Sequence, residues 1–243
     1  MPAFVPKETV KSYLVILGQI IAGLLILVSL QQIRSPWLPS PVILFLAFLL
    51  LNIVQVPLFK LSNALKEFWS VRRSGLFLLG TIGGMIIALC PVYLAYKTGK
   101  INKIYVDTDI SLSAAALTLL VVSWEELWFR GLFLNYCHRS LSPAYLSFLM
   151  GFLFMIIHAL NPAIHLIQTG PSLFFAGALL TLLYFYYKSI WLPLGLHFGN
   201  NFTAMLFRTN QDQDLWFGSE GYIQTVILAI IFFVFLVKTK KSF

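Results

Sequence analysis

Residues 112–134 read LSAAALTLLVVSWEELWFRGLFL. The stretch is long enough to cross a bilayer, which takes about 20 mostly apolar residues. Yet it holds two adjacent carboxylates, Glu125 and Glu126, and a guanidinium, Arg130. A carboxylate at mid-bilayer costs about 2.5–3.5 kcal/mol on insertion scales, so two of them need a reason. On a helix Glu126 and Arg130 are one turn apart and share a face. Glu125 lies about 100° around from Glu126. Arg130 is therefore expected to pair with Glu126 while Glu125 points to another neighbour. An ion pair that only fixes helix packing accounts for Glu126 and Arg130 but leaves Glu125 unexplained.

The rest of the chain places this stretch in a membrane. Of 243 residues 59% are hydrophobic and only 11% are charged, and the mean hydropathy is +0.84. Soluble domains are roughly 45–50% apolar and about 25% charged, so lipid is the expected solvent. The reading is an all-α, polytopic transmembrane helical bundle of about eight spans. These are approximately Tyr13–Leu30, Val42–Phe59, Leu76–Tyr96, Leu112–Leu134, Ala144–Leu160, Ser172–Tyr187, Ile190–Phe207 and Tyr222–Val237. Pro36, Pro39, Pro41, Pro143, Pro162 and Pro171 are expected to punctuate the connections. Residues 1–243 are read as one membrane-embedded domain, with a motif-bearing core of about 111–207. The first span is longer than a signal-peptide core and lacks a small-residue cleavage site after it, so it is read as retained.

A net charge of +8 raises nucleic acid as a partner, but the basic residues flank the apolar runs. That pattern marks topology signals and contact with anionic headgroups. With eight spans one side carries Lys7, Lys11, Lys60, Lys66, Arg72, Arg73, Arg130, Arg139, Lys188, Lys238, Lys240 and Lys241. The other carries Arg34, Lys97, Lys100, Lys103 and Arg208. The bias puts both termini in the cytoplasm, although Lys97–Lys103 dissents. Cys90 and Cys137 form neither a disulfide framework nor a metal motif.

Seven of the nine acidic residues fall in termini or loops; only Glu125 and Glu126 fall inside a span. Further polar groups recur in later spans. His158 closes Phe154-Met155-Ile156-Ile157-His158, and His197 and Asn201 stand one turn apart in the seventh. At about 1.5 Å per residue, Glu125, His158, His197 and Asn201 lie roughly 12–22 Å from the cytoplasmic ends of their helices. Within boundary errors of about 2–4 residues one buried polar site is possible. His138 and His165 read as surface residues. Gly80-x-x-x-Gly84 reads as a close helix-packing motif. Gly195 and Gly199 would let a neighbouring backbone or an extended peptide approach. Asn52 and Gln55 read as interhelical hydrogen-bonding residues, and Trp37, Trp69, Trp191 and Trp216 as an aromatic belt.

Glu125-Glu126-x-x-x-Arg130, Phe154-x-x-x-His158 and His197-x-x-x-Asn201, in that order and each on its own span, resemble the three signature motifs of the CAAX-protease and bacteriocin-processing family, also called the Abi family. The resemblance covers about residues 111–207. It implies a helical intramembrane endopeptidase, and a prokaryotic cell membrane as its location. Eukaryotic members of that family remove the last three residues from prenylated CAAX proteins. Many bacterial members are assigned to bacteriocin maturation or self-immunity. A membrane-associated peptide or protein, prenylated or not, is then the expected partner.

Peptide hydrolysis needs an activated water, a stabilised oxyanion and a protonated leaving amine. The reading gives Glu125 and His158 the water, and His197 and Asn201 the oxyanion. Glu126, held by Arg130, orients the site, with Phe154 in support. The cofactor is open: the water is activated without metal, or His158, His197 and Glu125 hold a divalent ion such as zinc. Two other function classes compete. One is a non-catalytic immunity or scaffold protein of the same fold. The other is a proton-coupled transporter, since intramembrane carboxylates and histidines also build proton relays.

Overall fold

The computed structural model describes residues 46–50, 73–106, 112–134, 141–159, 166–209 and 221–240. The apolar runs fold as helices α1 (Gly75–Lys97), α2 (Leu112–Glu126), α3 (Pro143–His158), α4 (Leu166–Tyr187), α5 (Trp191–Leu206) and α6 (Gly221–Lys240). Residues 46–50 are helical as well. The expected first span, most of the second, Asn52, Gln55, Trp37, Trp69, Trp216, Cys137, His138 and His165 lie outside the described residues.

Among the described helices α1, α4 and α6 are long and apolar enough to cross a membrane. The outer faces of α1 and α6 support that reading. Leu78, Leu79, Ile82 and Ile86 on α1, and Val226, Ile230, Phe233, Val234 and Val237 on α6, are all exposed. Water would not tolerate so continuous an apolar surface, whereas lipid tails cover it at no cost. These three are the candidate spans among the described residues, which do not confirm the expected count of about eight. Helices α3 and α5 have 16 residues each, and α2 has 15.

Three local departures from the sequence reading have physical causes. First, the Leu112–Leu134 span is not one α-helix. At Leu127 it becomes a π-helix through Phe133, directly after the two carboxylates. Such widened turns are rare and frequently mark functional sites. Second, Pro171 does not break a connection. Helix α4 starts at Leu166 and runs through it. Where lipid or protein surrounds the chain, uncoiling would expose more backbone polar groups than the single bond a proline removes. Third, a short antiparallel ladder joins Ile104–Val106 (β1) to Phe207–Thr209 (β2), with Tyr105 opposite Arg208. Three-residue strands carry too little alternation to be read from sequence. By contrast Pro143 sits at the start of α3 as expected. Ser142 caps that helix and accepts a hydrogen bond from the Tyr145 amide, the usual N-terminal arrangement.

The site is positioned by how α1 and α5 pack. Their backbones meet through four glycines. A Cβ on Gly80 would strike the Leu192 carbonyl oxygen, and one on Gly84 that of Leu196. Reciprocally, Gly195 abuts the carbonyl of Phe77 and Gly199 that of Thr81. Small residues let two backbones approach to dispersion contact, which drives helix association in lipid. The approach at Gly195 and Gly199 is made by a neighbouring helix. His197 lies two residues from either glycine, about 200° around the helix. With one face of α5 fixed on α1, His197 is turned the opposite way, toward α2.

Apolar side chains fill the space behind it. Phe129, Leu134, Leu146, Met150, Phe154 and Phe185 form a buried cluster joining the π-helix to α3 and α4. A second cluster, with Phe48, Val122, Trp124, Trp128, Ile190 and Leu194, joins residues 46–50 to α2 and α5.

Candidate active site

Two helices and the π-helix bring four ionisable groups together. Glu126, at the end of α2, is fully buried, and so is Arg130 one turn on. Arg130 Nη1 donates to Glu126 Oε1 at 2.9 Å, and Nη2 donates to the Gly177 carbonyl of α4 at 2.8 Å. The guanidinium lies 5.5 Å from the ring centres of both Phe129 and Phe154. Ion pair, carbonyl and two aromatic faces replace part of the hydration that a buried cation loses, while Nε has no hydrogen-bond partner among the described residues.

Glu126 Oε1 accepts a second hydrogen bond, from His197 Nδ1 on α5 at 2.9 Å. This fixes the ring and leaves Nε2 facing Glu125, whose Oε2 lies 3.7 Å away. Glu126 thus ties Arg130 and His197 to one oxygen, while Glu125 meets the far side of the same imidazole. Among the described residues, Glu125 Oε2 and Glu126 Oε2 are buried and have no hydrogen-bond donor. Buried carboxylate oxygens are normally satisfied, and these two leave acceptor capacity open beside His197.

His158 stands nearby but is not joined to the carboxylates by any hydrogen bond. Its Nδ1–H donates to the Phe154 carbonyl at 2.8 Å, so in the neutral ring Nε2 carries the lone pair. Its ring packs on Phe154 at 4.2 Å between centroids, and Phe154 in turn lies edge-on to His197 at 5.8 Å. Phe154 is the spacer between the two histidines. Asn201 follows His197 by one turn of α5. Its side-chain oxygen accepts from Asn200 Nδ2 at 3.4 Å, and Asn200 Oδ1 accepts from Gln224 Nε2 of α6 at 2.8 Å. The sequence reading singled out neither Asn200 nor Gln224. The available signal was an amide early in an otherwise apolar span.

The metal alternative can be tested on the side chains. A catalytic zinc site takes three protein ligands at about 2.0–2.2 Å. Among the described residues no three His, Cys, Asp or Glu side chains are grouped to hold an ion. His158, His197 and Glu125 as placed do not form the two-His, one-carboxylate set. A cavity of about 270 Å³ opens between α1, α2 and α5. It is lined by Phe77, Leu119, Ser123, Leu127, Ile190, Trp191 and Leu194, and none of the candidate residues borders it.

Comparison with known proteins agrees with the motifs. Residues 108–203 match the family model for type II CAAX prenyl endopeptidase Rce1-like proteins. No curated protein matches the chain significantly. The matched segment runs from just before α2 to near the end of α5, and it contains Glu125, Glu126, Arg130, Phe154, His158, His197 and Asn201. Residues 108–203 are therefore similar to the Rce1-like type II CAAX prenyl endopeptidases, the kin that the three motifs resemble.

Proposed function

We propose that this protein is an intramembrane endopeptidase that hydrolyses a peptide bond in a membrane-associated substrate, of the prenylated CAAX kind its family acts on. The observation that carries the reading is the buried cluster of Glu125, Glu126, Arg130 and His197. A guanidinium and an imidazole stand against the two carboxylates, which lowers the cost of holding them away from water.

Glu125 and His158 bind the attacking water and take its proton. Glu125 offers an acceptor oxygen without a donor, and His158 offers Nε2, because Nδ1–H is held by the Phe154 carbonyl. The developing oxyanion accepts hydrogen bonds from His197 Nε2–H and Asn201 Nδ2–H, one turn apart on α5. Donors fixed in place before charge develops cost no reorganisation as it forms. The proton taken from water then passes to the leaving amine. Glu126 touches no substrate atom: it holds the His197 ring through Nδ1 and is itself held by Arg130. Both termini face the cytoplasm, as the distribution of Lys and Arg indicates.

Glu125→Gln keeps the size of the side chain and removes its basicity. Membranes from cells carrying that variant should accumulate intact substrates that the unaltered protein cleaves, in a comparison of the two membrane peptidomes. Purified Glu125→Gln protein with full peptidase activity would remove Glu125 from the base role. Identical peptidomes would remove the protease reading.

A further inference from the structure

We propose that Gln224 of α6, acting through Asn200, is a positioning residue that sets the orientation of the Asn201 amide. The inference rests on the peptidase reading above.

An oxyanion donor must present its amide NH2, and an asparagine can equally present its carbonyl oxygen, since the two ends are nearly the same size. Something has to choose. In α5 the choice is made by a chain of three amides. Gln224 Nε2 donates to Asn200 Oδ1 at 2.8 Å, and Asn200 Nδ2 donates to Asn201 Oδ1 at 3.4 Å. Each amide accepts through oxygen and donates through nitrogen, so the direction of the first bond dictates the last. With Asn201 Oδ1 already in use, Nδ2 is the end left for the site. Aligned amides also polarise one another, which strengthens the terminal donor.

Two placements support this. Asn200 and Asn201 are about 100° apart on α5, so Asn200 reaches sideways to α6 while Asn201 stays with His197. Gln224 also stands outside the matched segment, which ends at residue 203, so the family match assigns it no part. All three side chains are half-buried, where a hydrogen bond is stronger than in water.

The test is a mutant cycle in purified, liposome-reconstituted full-length protein, with an internally quenched farnesylated CAAX peptide as substrate. Gln224→Met keeps length and removes the donor. It should lower kcat by about 3- to 10-fold, the worth of one hydrogen bond, and leave KM unchanged. Asn200→Ala should do the same, and it carries the test if Gln224→Met does not fold. In an Asn201→Ala background either change should move kcat by less than about twofold, because the group they orient is gone. A residue that merely docks α6 would lower kcat in both backgrounds and raise KM or lower Tm with it. Additive losses therefore overturn the inference, as does unaltered kcat in both single variants while Asn201→Ala impairs turnover. If unaltered protein shows no Glu125-dependent cleavage of the peptide, the peptidase reading fails and takes this inference with it.

Discussion

His197 is held at one ring nitrogen by Glu126 and faces Glu125 with the other. That single side chain joins two halves of the site that lie 71 residues apart in sequence. The Glu126–Arg130 pair beneath it is fully buried, and breaking one partner of such a pair costs about 3–5 kcal/mol. Arg130→Leu should therefore lower the unfolding temperature in detergent more than any surface substitution. The double variant Glu126→Leu/Arg130→Leu should be less destabilised than the sum of its singles, since it leaves no lone buried charge. Additive losses in thermal unfolding would show that the two groups are stabilised independently. At this scale the sequence was informative about short range only. One-turn spacing predicted the partner of Arg130, because helix geometry fixes which side chains meet. It did not show that Glu126 shares its oxygen with His197, or that Phe154 separates the histidines.

Helix α5 is placed by what it lacks. Gly195 and Gly199 press on carbonyls of α1, as Gly80 and Gly84 press on those of α5, and this contact turns His197 and Asn201 toward α2. Gly83 is the natural control, because a Cβ there meets nothing within 4 Å. Gly199→Ala should force α1 and α5 apart, reduce thermal stability by about 1–3 kcal/mol as overpacking does, and lower peptidase turnover. Gly83→Ala should leave both near the unaltered protein. Equal effects from the two alanines, in melting and in kcat, would mean that the glycines are tolerated rather than required. The glycine spacing was visible in the sequence, and close helix packing was the reading given for Gly80 and Gly84. For Gly195 and Gly199 two approaches were open, and the fold answers with a helix. The π-helix after Glu126 and the passage of α4 through Pro171 were not visible. Both depend on neighbours that satisfy, or decline to satisfy, individual backbone groups.

Over the whole molecule, apolar side chains face outward on α1 and α6 as freely as inward. An assembly of this kind is held by the membrane itself. Alkaline carbonate washing of native membranes should leave the protein in the pellet, and its release into the supernatant would contradict a membrane-spanning reading. The Lys and Arg bias makes a further claim. A reporter fused after Lys241 should be digested by protease added to inside-out vesicles and protected in right-side-out vesicles. The reverse pattern would place the Lys97–Lys103 side in the cytoplasm.

Composition and periodicity were enough to name the solvent, to find the described helices, though α4 begins six residues before the expected Ser172 and α2 gives way to the π-helix after Glu126, and to mark the buried Glu126, Arg130 and His197. Each of those follows from local chemistry: apolar runs of membrane length, one-turn spacing, prolines and caps. Which helix faces meet follows from contacts between residues far apart in the chain. The seat of His197 between two carboxylates, the spacing role of Phe154 and the amide chain from Gln224 to Asn201 all arise there. No local pattern encodes them, because they exist only once backbones have packed against each other.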